Sequence, residues 1–167
     1  MAVDRLTQLA RRLQAACVAN HATVGLAESC TGGLVAAALT EIPGSSAYFL
    51  GGVVSYADSA KRDLLDVPPA VLEAHGAVSA QVARAMAEGA RDRFGATFAA
   101  SVTGIAGPDG GTAAKPVGLT YVGVADADGA DVRRHVWPGD RAANRVDSAV
   151  AVLELLLERV GDRAVDA

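Results

Sequence analysis

Aromatic side chains are scarce in this sequence: Phe, Trp and Tyr make up 4% of 167 residues, while hydrophobic residues overall make up 51%. The core must therefore come mainly from Ala, Val and Leu, and so much aliphatic surface argues against a disordered chain. Cysteine is limited to Cys17 and Cys30, which leaves no disulfide framework and no metal-ligand spacing. Positive charge is in deficit, with 15 Lys and Arg against 19 Asp and Glu and a net charge of −4. That balance argues against a nucleic-acid partner held on a broad basic face. No apolar run approaches the roughly 18 residues that span a bilayer. The opening Met1-Ala2-Val3-Asp4-Arg5-Leu6 lacks the apolar core of a signal peptide. These absences lead us to expect one cytoplasmic domain over residues 1–167, with no nucleic-acid or membrane partner.

What is present is organised around Leu26-Ala27-Glu28-Ser29-Cys30-Thr31-Gly32-Gly33-Leu34. Residues 23–28 read as a strand, and residues 33–41 as a helix of strong formers. Ser29 thus stands where a strand hands over to a helix, and backbone N–H groups without helical partners are expected there. A hydroxyl in that position can attack an electrophile while nearby amides hold the developing negative charge. A plain reading stays open beside this one: a Ser or Thr helix cap, with two glycines easing a tight turn.

The remaining chain reads as alternating elements. Apolar residues from Val3 to Cys17 recur at helical spacing. Tyr48 to Tyr56 suits a strand whose Gly51-Gly52 marks a bulge or a closely approached backbone. Residues 57–65 form a short helix carrying Lys61, five residues after Tyr56, so both can face one site; a strand-end aromatic and an exposed lysine are the plain alternative. Helices beginning at Pro68-Pro69 and capped by Ser79 follow, the second stopping at Gly95. Residues 97–103 are apolar enough for a central strand. They open into Gly104-Ile105-Ala106-Gly107-Pro108-Asp109-Gly110-Gly111, which suits anion binding through backbone amides or is a plain surface loop. Residues 117–125 and 132–137 pair as an antiparallel hairpin around Asp126–Gly129. A final helix over about 140–160 carries Arg141 and Arg145 in its first turns, where cations oppose the dipole and a phosphate would be welcome; the tail from Gly161 is expected to fray. The order implies an α/β fold, a three-layer α/β/α sandwich with a mixed, mostly parallel sheet and a C-terminal antiparallel hairpin.

Five segments occur here in one order: Ala27-Glu28-Ser29-Cys30-Thr31-Gly32-Gly33; Gly51-Gly52-Val53-Val54-Ser55-Tyr56 with Lys61; Gly76-Ala77-Val78-Ser79; Thr103 to Gly111; and Lys115-Pro116-Val117-Gly118. Together, over about residues 5–160, they resemble the CinA C-terminal domain family, which includes stand-alone nicotinamide-nucleotide amidases. The resemblance implies hydrolysis of the carboxamide of nicotinamide mononucleotide to nicotinic acid mononucleotide and ammonia, with no cofactor and no metal. It implies Ser29 as nucleophile, Lys61 as general base and Tyr56 as partner in a hydroxyl–amine network. Cys30, Thr31, Gly32 and Gly33 would meet the substrate, with the Gly32 and Gly33 backbone holding the oxyanion. Gly104, Gly107, Gly111 and Arg145 are then the candidates for nucleotide phosphate and ribose. The stand-alone form and a homodimer are expected. Two alternatives stay open: Cys30 as an activated thiol nucleophile, and a catalytically silent nucleotide-binding or partner-binding module of the same fold.

Overall fold

The structure, a computed structural model, describes residues 2–165. Its elements are α1 (Ala2–Ala19), β1 (Val24–Glu28), α2 (Leu34–Thr40), a 3-10 turn (Ser45–Ala47), β2 (Phe49–Val54), α3 (Asp58–Leu65), α4 (Pro69–His75), α5 (Ala80–Phe94), β3 (Phe98–Gly104), β4 (Leu119–Asp126), β5 (Gly129–Val136) and α6 (Arg141–Val165). One sheet runs in the order β2-β1-β3-β4-β5. β1 pairs parallel with both β2 and β3, while β4 is antiparallel to β3 and to β5. Four of the five strands therefore share a direction, and the expected mixed sandwich with its terminal hairpin is what forms.

Burial follows the aliphatic composition. α1, α2 and α6 cover one face through Leu9, Leu13, Leu39, Leu153 and Leu156, packed on Leu26, Val102 and Val124 of the sheet. α5 covers the other face with Val82, Met86 and Ala90 against Ala27 and Ala99. Strands covered on both sides must be apolar throughout, and all five residues of β1 are buried. Ser79 caps α5 by accepting the Val82 amide, and Gly95 ends it in the left-handed region. The Gly51 expectation holds in both forms: the β1–β2 register shifts between Val24 and Gly25, and a Cβ on Gly51 would stand 2.6 Å from the Phe94 ring.

The C-terminal end differs from expectation. α6 continues through Gly161 to Val165, because a single glycine weakens a helix without stopping it. Farther back, Arg159 bonds Asp126 at 2.6 Å and holds α6 on the β4–β5 hairpin.

Topology then places the site. From β1 the chain passes through α2 on one face to reach β2, and it returns through α5 on the other face to reach β3 on the opposite side of β1. The carboxyl ends of these three parallel strands lie along one edge, where the connections part. Open α/β sheets leave a crevice at such a place.

Candidate active site

Ser29 directly follows the last residue of β1, and its amide donates to the Val102 carbonyl of β3 at 3.0 Å. The backbone of the candidate nucleophile is thus a continuation of the central strand pairing. β2 is tied in by the Ser55 amide, which donates to the Glu28 carbonyl at 2.8 Å. Immediately beyond β2, α3 turns Lys61 back toward the sheet.

Lys61 is 1% exposed. Its Nζ lies 3.1 Å from Ser29 Oγ, 2.7 Å from the Ser55 carbonyl and 3.2 Å from the Tyr56 carbonyl. Among the described residues Lys61 takes part in no ion pair. Burial pushes its pKa below the ordinary lysine value, with the charge of Asp58 opposing the shift. A neutral amine has two N–H bonds and one lone pair. The two carbonyls match the two N–H bonds, which leaves the lone pair for the Ser29 hydroxyl proton. That arrangement is a nucleophile beside its base.

The turn after Ser29 is held by Glu28, which is 2% exposed. Glu28 Oε2 accepts from Thr31 Oγ1 at 2.5 Å and from the Gly33 and Val35 amides at 3.1 and 3.2 Å; Oε1 accepts the Ala36 amide at 2.9 Å. The residue at the cap position of α2 is Gly33, at φ 96° with no side-chain cap, so a carboxylate from the preceding strand takes over that task. Ser29 is consequently free of capping. This also revises the expected oxyanion donors, since the Gly32 amide already donates to the Ser29 carbonyl and the Gly33 amide to Glu28.

Cys30 is buried beside Ser29, and desolvation pushes its thiol up to about 11. A group so shifted is protonated at neutral pH, which removes support from the thiolate alternative.

The first turns of α6 reach the same edge of the sheet. Arg145 Nη2 donates to the Thr31 carbonyl at 2.8 Å. Arg141 bridges two further parts, donating to the Gly107 carbonyl at 2.8 Å and to the Tyr56 hydroxyl at 3.1 Å. Tyr56 therefore meets Lys61 through its carbonyl, while its phenol, on a residue 60% exposed, turns to Arg141. In the glycine-rich loop, a Cβ on Gly107 or Gly111 would stand 2.6 or 2.7 Å from Val117, and one on Gly104 2.6 Å from Thr120 Oγ1. Close intramolecular packing is thus a sufficient reason for these three glycines.

The structure therefore brings Ser29, Lys61 and the Tyr56 backbone together, with Cys30–Gly33 and Arg145 alongside. Gly107 is tied to the same edge through Arg141. Sequence reasoning passed over Glu28 and the Ser55 carbonyl, and it offered Arg141 with Arg145 to a phosphate without foreseeing the contacts of Arg141 to Tyr56 and Gly107. Glu28 could have been found as an acidic residue just before a helix that lacks a capping side chain. A backbone carbonyl such as that of Ser55 has no residue signature at all.

Comparison with known proteins agrees with this fold. The CinA C-terminal domain family matches residues 6–160. A CinA-like protein of Geotalea uraniireducens is 53% identical over 138 residues, covering 83% of this chain and 33% of that protein. A CinA-like protein of Geobacter sp. is 50% identical over 153 residues, covering 92% of this chain and 35% of its own length. The chain thus spans about a third of the length of the curated relatives it matches. Among solved structures, the competence/damage inducible protein CihA of Agrobacterium tumefaciens superposes with TM-score 0.88 at 44% identity, over 92% of this chain and 94% of that one. A CinA superfamily protein of Klebsiella pneumoniae gives TM-score 0.90 at 31% identity, over 94% of this chain and 98% of its own.

Proposed function

The chain belongs to the CinA C-terminal domain family, and on that premise we propose that it is a serine amidohydrolase of pyridine nucleotides, converting nicotinamide mononucleotide to nicotinic acid mononucleotide and ammonia. The observation that carries this reading is the buried Lys61 amine, without a carboxylate partner among the described residues, 3.1 Å from Ser29 Oγ.

The steps follow from that pair. Ser29 Oγ bonds to the carboxamide carbon while its proton passes to the Lys61 lone pair, and the carbonyl electron pair moves onto oxygen. When that pair returns, the C–N bond breaks and the Lys61 ammonium gives its proton to the departing nitrogen, so ammonia leaves and an ester to Ser29 remains. Water then adds to the ester, losing a proton to Lys61. Collapse expels Ser29 Oγ, which recovers that proton, and the pyridine carboxylic acid departs. Lys61 acts as base and then acid in each half, a cycle that needs an amine whose pKa is well below the ordinary value. The carbonyls of Ser55 and Tyr56 keep the neutral amine oriented between turnovers.

The nucleotide moiety is assigned to this edge, with Arg145, Arg141 and the loop of Gly104, Gly107 and Gly111 as its surroundings. The pyridinium ring of the substrate, brought near Lys61, would disfavour the ammonium further. A homodimer is part of the same proposal.

The test is ammonia release from nicotinamide mononucleotide by purified protein in the presence of EDTA. Wild type and Cys30→Ala are expected to release ammonia, and Ser29→Ala is not. Activity surviving in Ser29→Ala would sink the serine mechanism; tight nucleotide binding without release by wild type would favour the silent binding module.

A further inference from the structure

Glu28 is almost fully buried next to the nucleophile and makes no hydrogen bond to Ser29 Oγ or Lys61 Nζ. Its two oxygens instead gather four donors from the turn and the first residues of α2. A carboxylate surrounded by four donors is a rigid anchor, since each charge-assisted bond is stronger than a neutral one. Its effect on the turn is selective. Gly33, Val35 and Ala36 amides are consumed by Glu28, the Gly32 amide by the Ser29 carbonyl, and the Ser29 amide by Val102. Among the described residues, neither the Cys30 nor the Thr31 amide has a hydrogen-bond acceptor. Those two N–H groups stand one and two residues after the nucleophile. An amide directly after a nucleophilic serine is a geometry that supports a tetrahedral oxyanion.

We propose that Glu28 is a positioning residue of this site: its carboxylate pins the turn from both Thr31 and α2, so that the Cys30 and Thr31 amides, not those of Gly32 and Gly33, receive the oxyanion. The inference rests on the amidase reading. Arg145 supports the same turn from its other side by holding the Thr31 carbonyl. Peptide units are planar, so the Gly32 amide, by holding the Ser29 carbonyl at 3.0 Å, fixes the plane that carries the Cys30 N–H bond.

The test compares two substrates in wild type and Glu28→Gln: nicotinamide mononucleotide and its thiocarboxamide analogue. The thio compound places the developing charge on sulfur, which accepts N–H bonds poorly, so its turnover depends less on the amides. Glutamine offers one acceptor oxygen, and its NH₂ group faces donors. We expect kcat on the carboxamide to fall by about 100-fold, the scale of a lost oxyanion donor, with KM nearly unchanged. On the thio analogue the fall is smaller, so the oxo-to-thio ratio of kcat drops by about tenfold or more. That ratio does not depend on how much of the variant is folded, so a merely structural loss leaves it where it was. An unchanged ratio overturns the proposal. Should Glu28→Gln not fold, Thr31→Val removes one donor to the same carboxylate and must lower the ratio in the same direction. A wild type inactive on both compounds overturns the amidase reading and this inference with it. An active wild type with an unchanged ratio in the variant overturns this inference alone.

Discussion

At the scale of single residues, Lys61 decides what Ser29 can be. An exposed lysine would be an ammonium at neutral pH and could take no proton. Burial without a carboxylate partner disfavours that charge, and two carbonyls then hold the neutral amine by both N–H bonds. Activity should rise with pH as Lys61 loses its proton, so kcat/KM is expected to show an acid limb below the ordinary lysine value of 10.5. The pH profile of kcat/KM reports free enzyme and that of kcat the substrate complex. If the pyridinium lies near Lys61, the limb in kcat falls at lower pH than the limb in kcat/KM. Coincident limbs would place the ring charge elsewhere. The closeness of Ser29 and Lys61 was legible in the sequence because their segments occur in one order, whereas Tyr56 was expected through its hydroxyl and reaches Lys61 through its carbonyl instead. The environment that depresses Lys61 was not legible, since it consists of main-chain carbonyls and of neighbours supplied by packing.

At the scale of elements, the short helix α3 matters because it carries Lys61. Its last residue, Leu65, rests on α5 at Gly89, where a Cβ would stand 1.9 Å from the Leu65 carbonyl oxygen. Glycine inside an exposed helix normally costs about 1 kcal/mol relative to alanine. Here the clash with backbone outweighs that gain, because overpacking costs about 1–3 kcal/mol and neither helix can yield alone. Gly89→Ala is therefore expected to lower the urea midpoint and to slow ammonia release, by moving α3 and with it the Lys61–Ser29 contact. A variant that is both more stable and fully active would show that α3 accommodates the methyl freely. The cap of α2 carries a related lesson. Local pattern suggested a Ser or Thr cap, yet Gly33 holds the cap position and Glu28 reaches across the turn to do the work. Side-chain capping across a turn depends on where the strand aims its last residue, which local sequence leaves open.

At the scale of the whole molecule, two aliphatic cores clamp one sheet and so hold three strand ends in register. Leu13, a fully buried residue of α1, belongs to the larger core and makes no hydrogen bond to the candidate site. Leu13→Ala is expected to cost about 2–5 kcal/mol, a large part of the roughly 5–15 kcal/mol that stabilises a domain. The KM of the folded fraction should stay unchanged. Calorimetry together with steady-state kinetics would check this, and a change in KM would mean that the core and the site are coupled.

Periodicity, breakers and strong helix formers in the sequence were by themselves enough to determine the element order, the fold class, the hairpin and the segment holding the candidate nucleophile, because these depend on residues near one another in the chain. Tertiary structure alone decided the β2-β1-β3-β4-β5 order, the capture of the Lys61 amine by the Ser55 and Tyr56 carbonyls, and the withdrawal of the α2 amides by Glu28. It also decided that α6 reaches back over more than a hundred residues to hold the Thr31 carbonyl through Arg145. Each of these depends on which backbone groups remain unpaired once the sheet has closed, and that is a property of the packed chain.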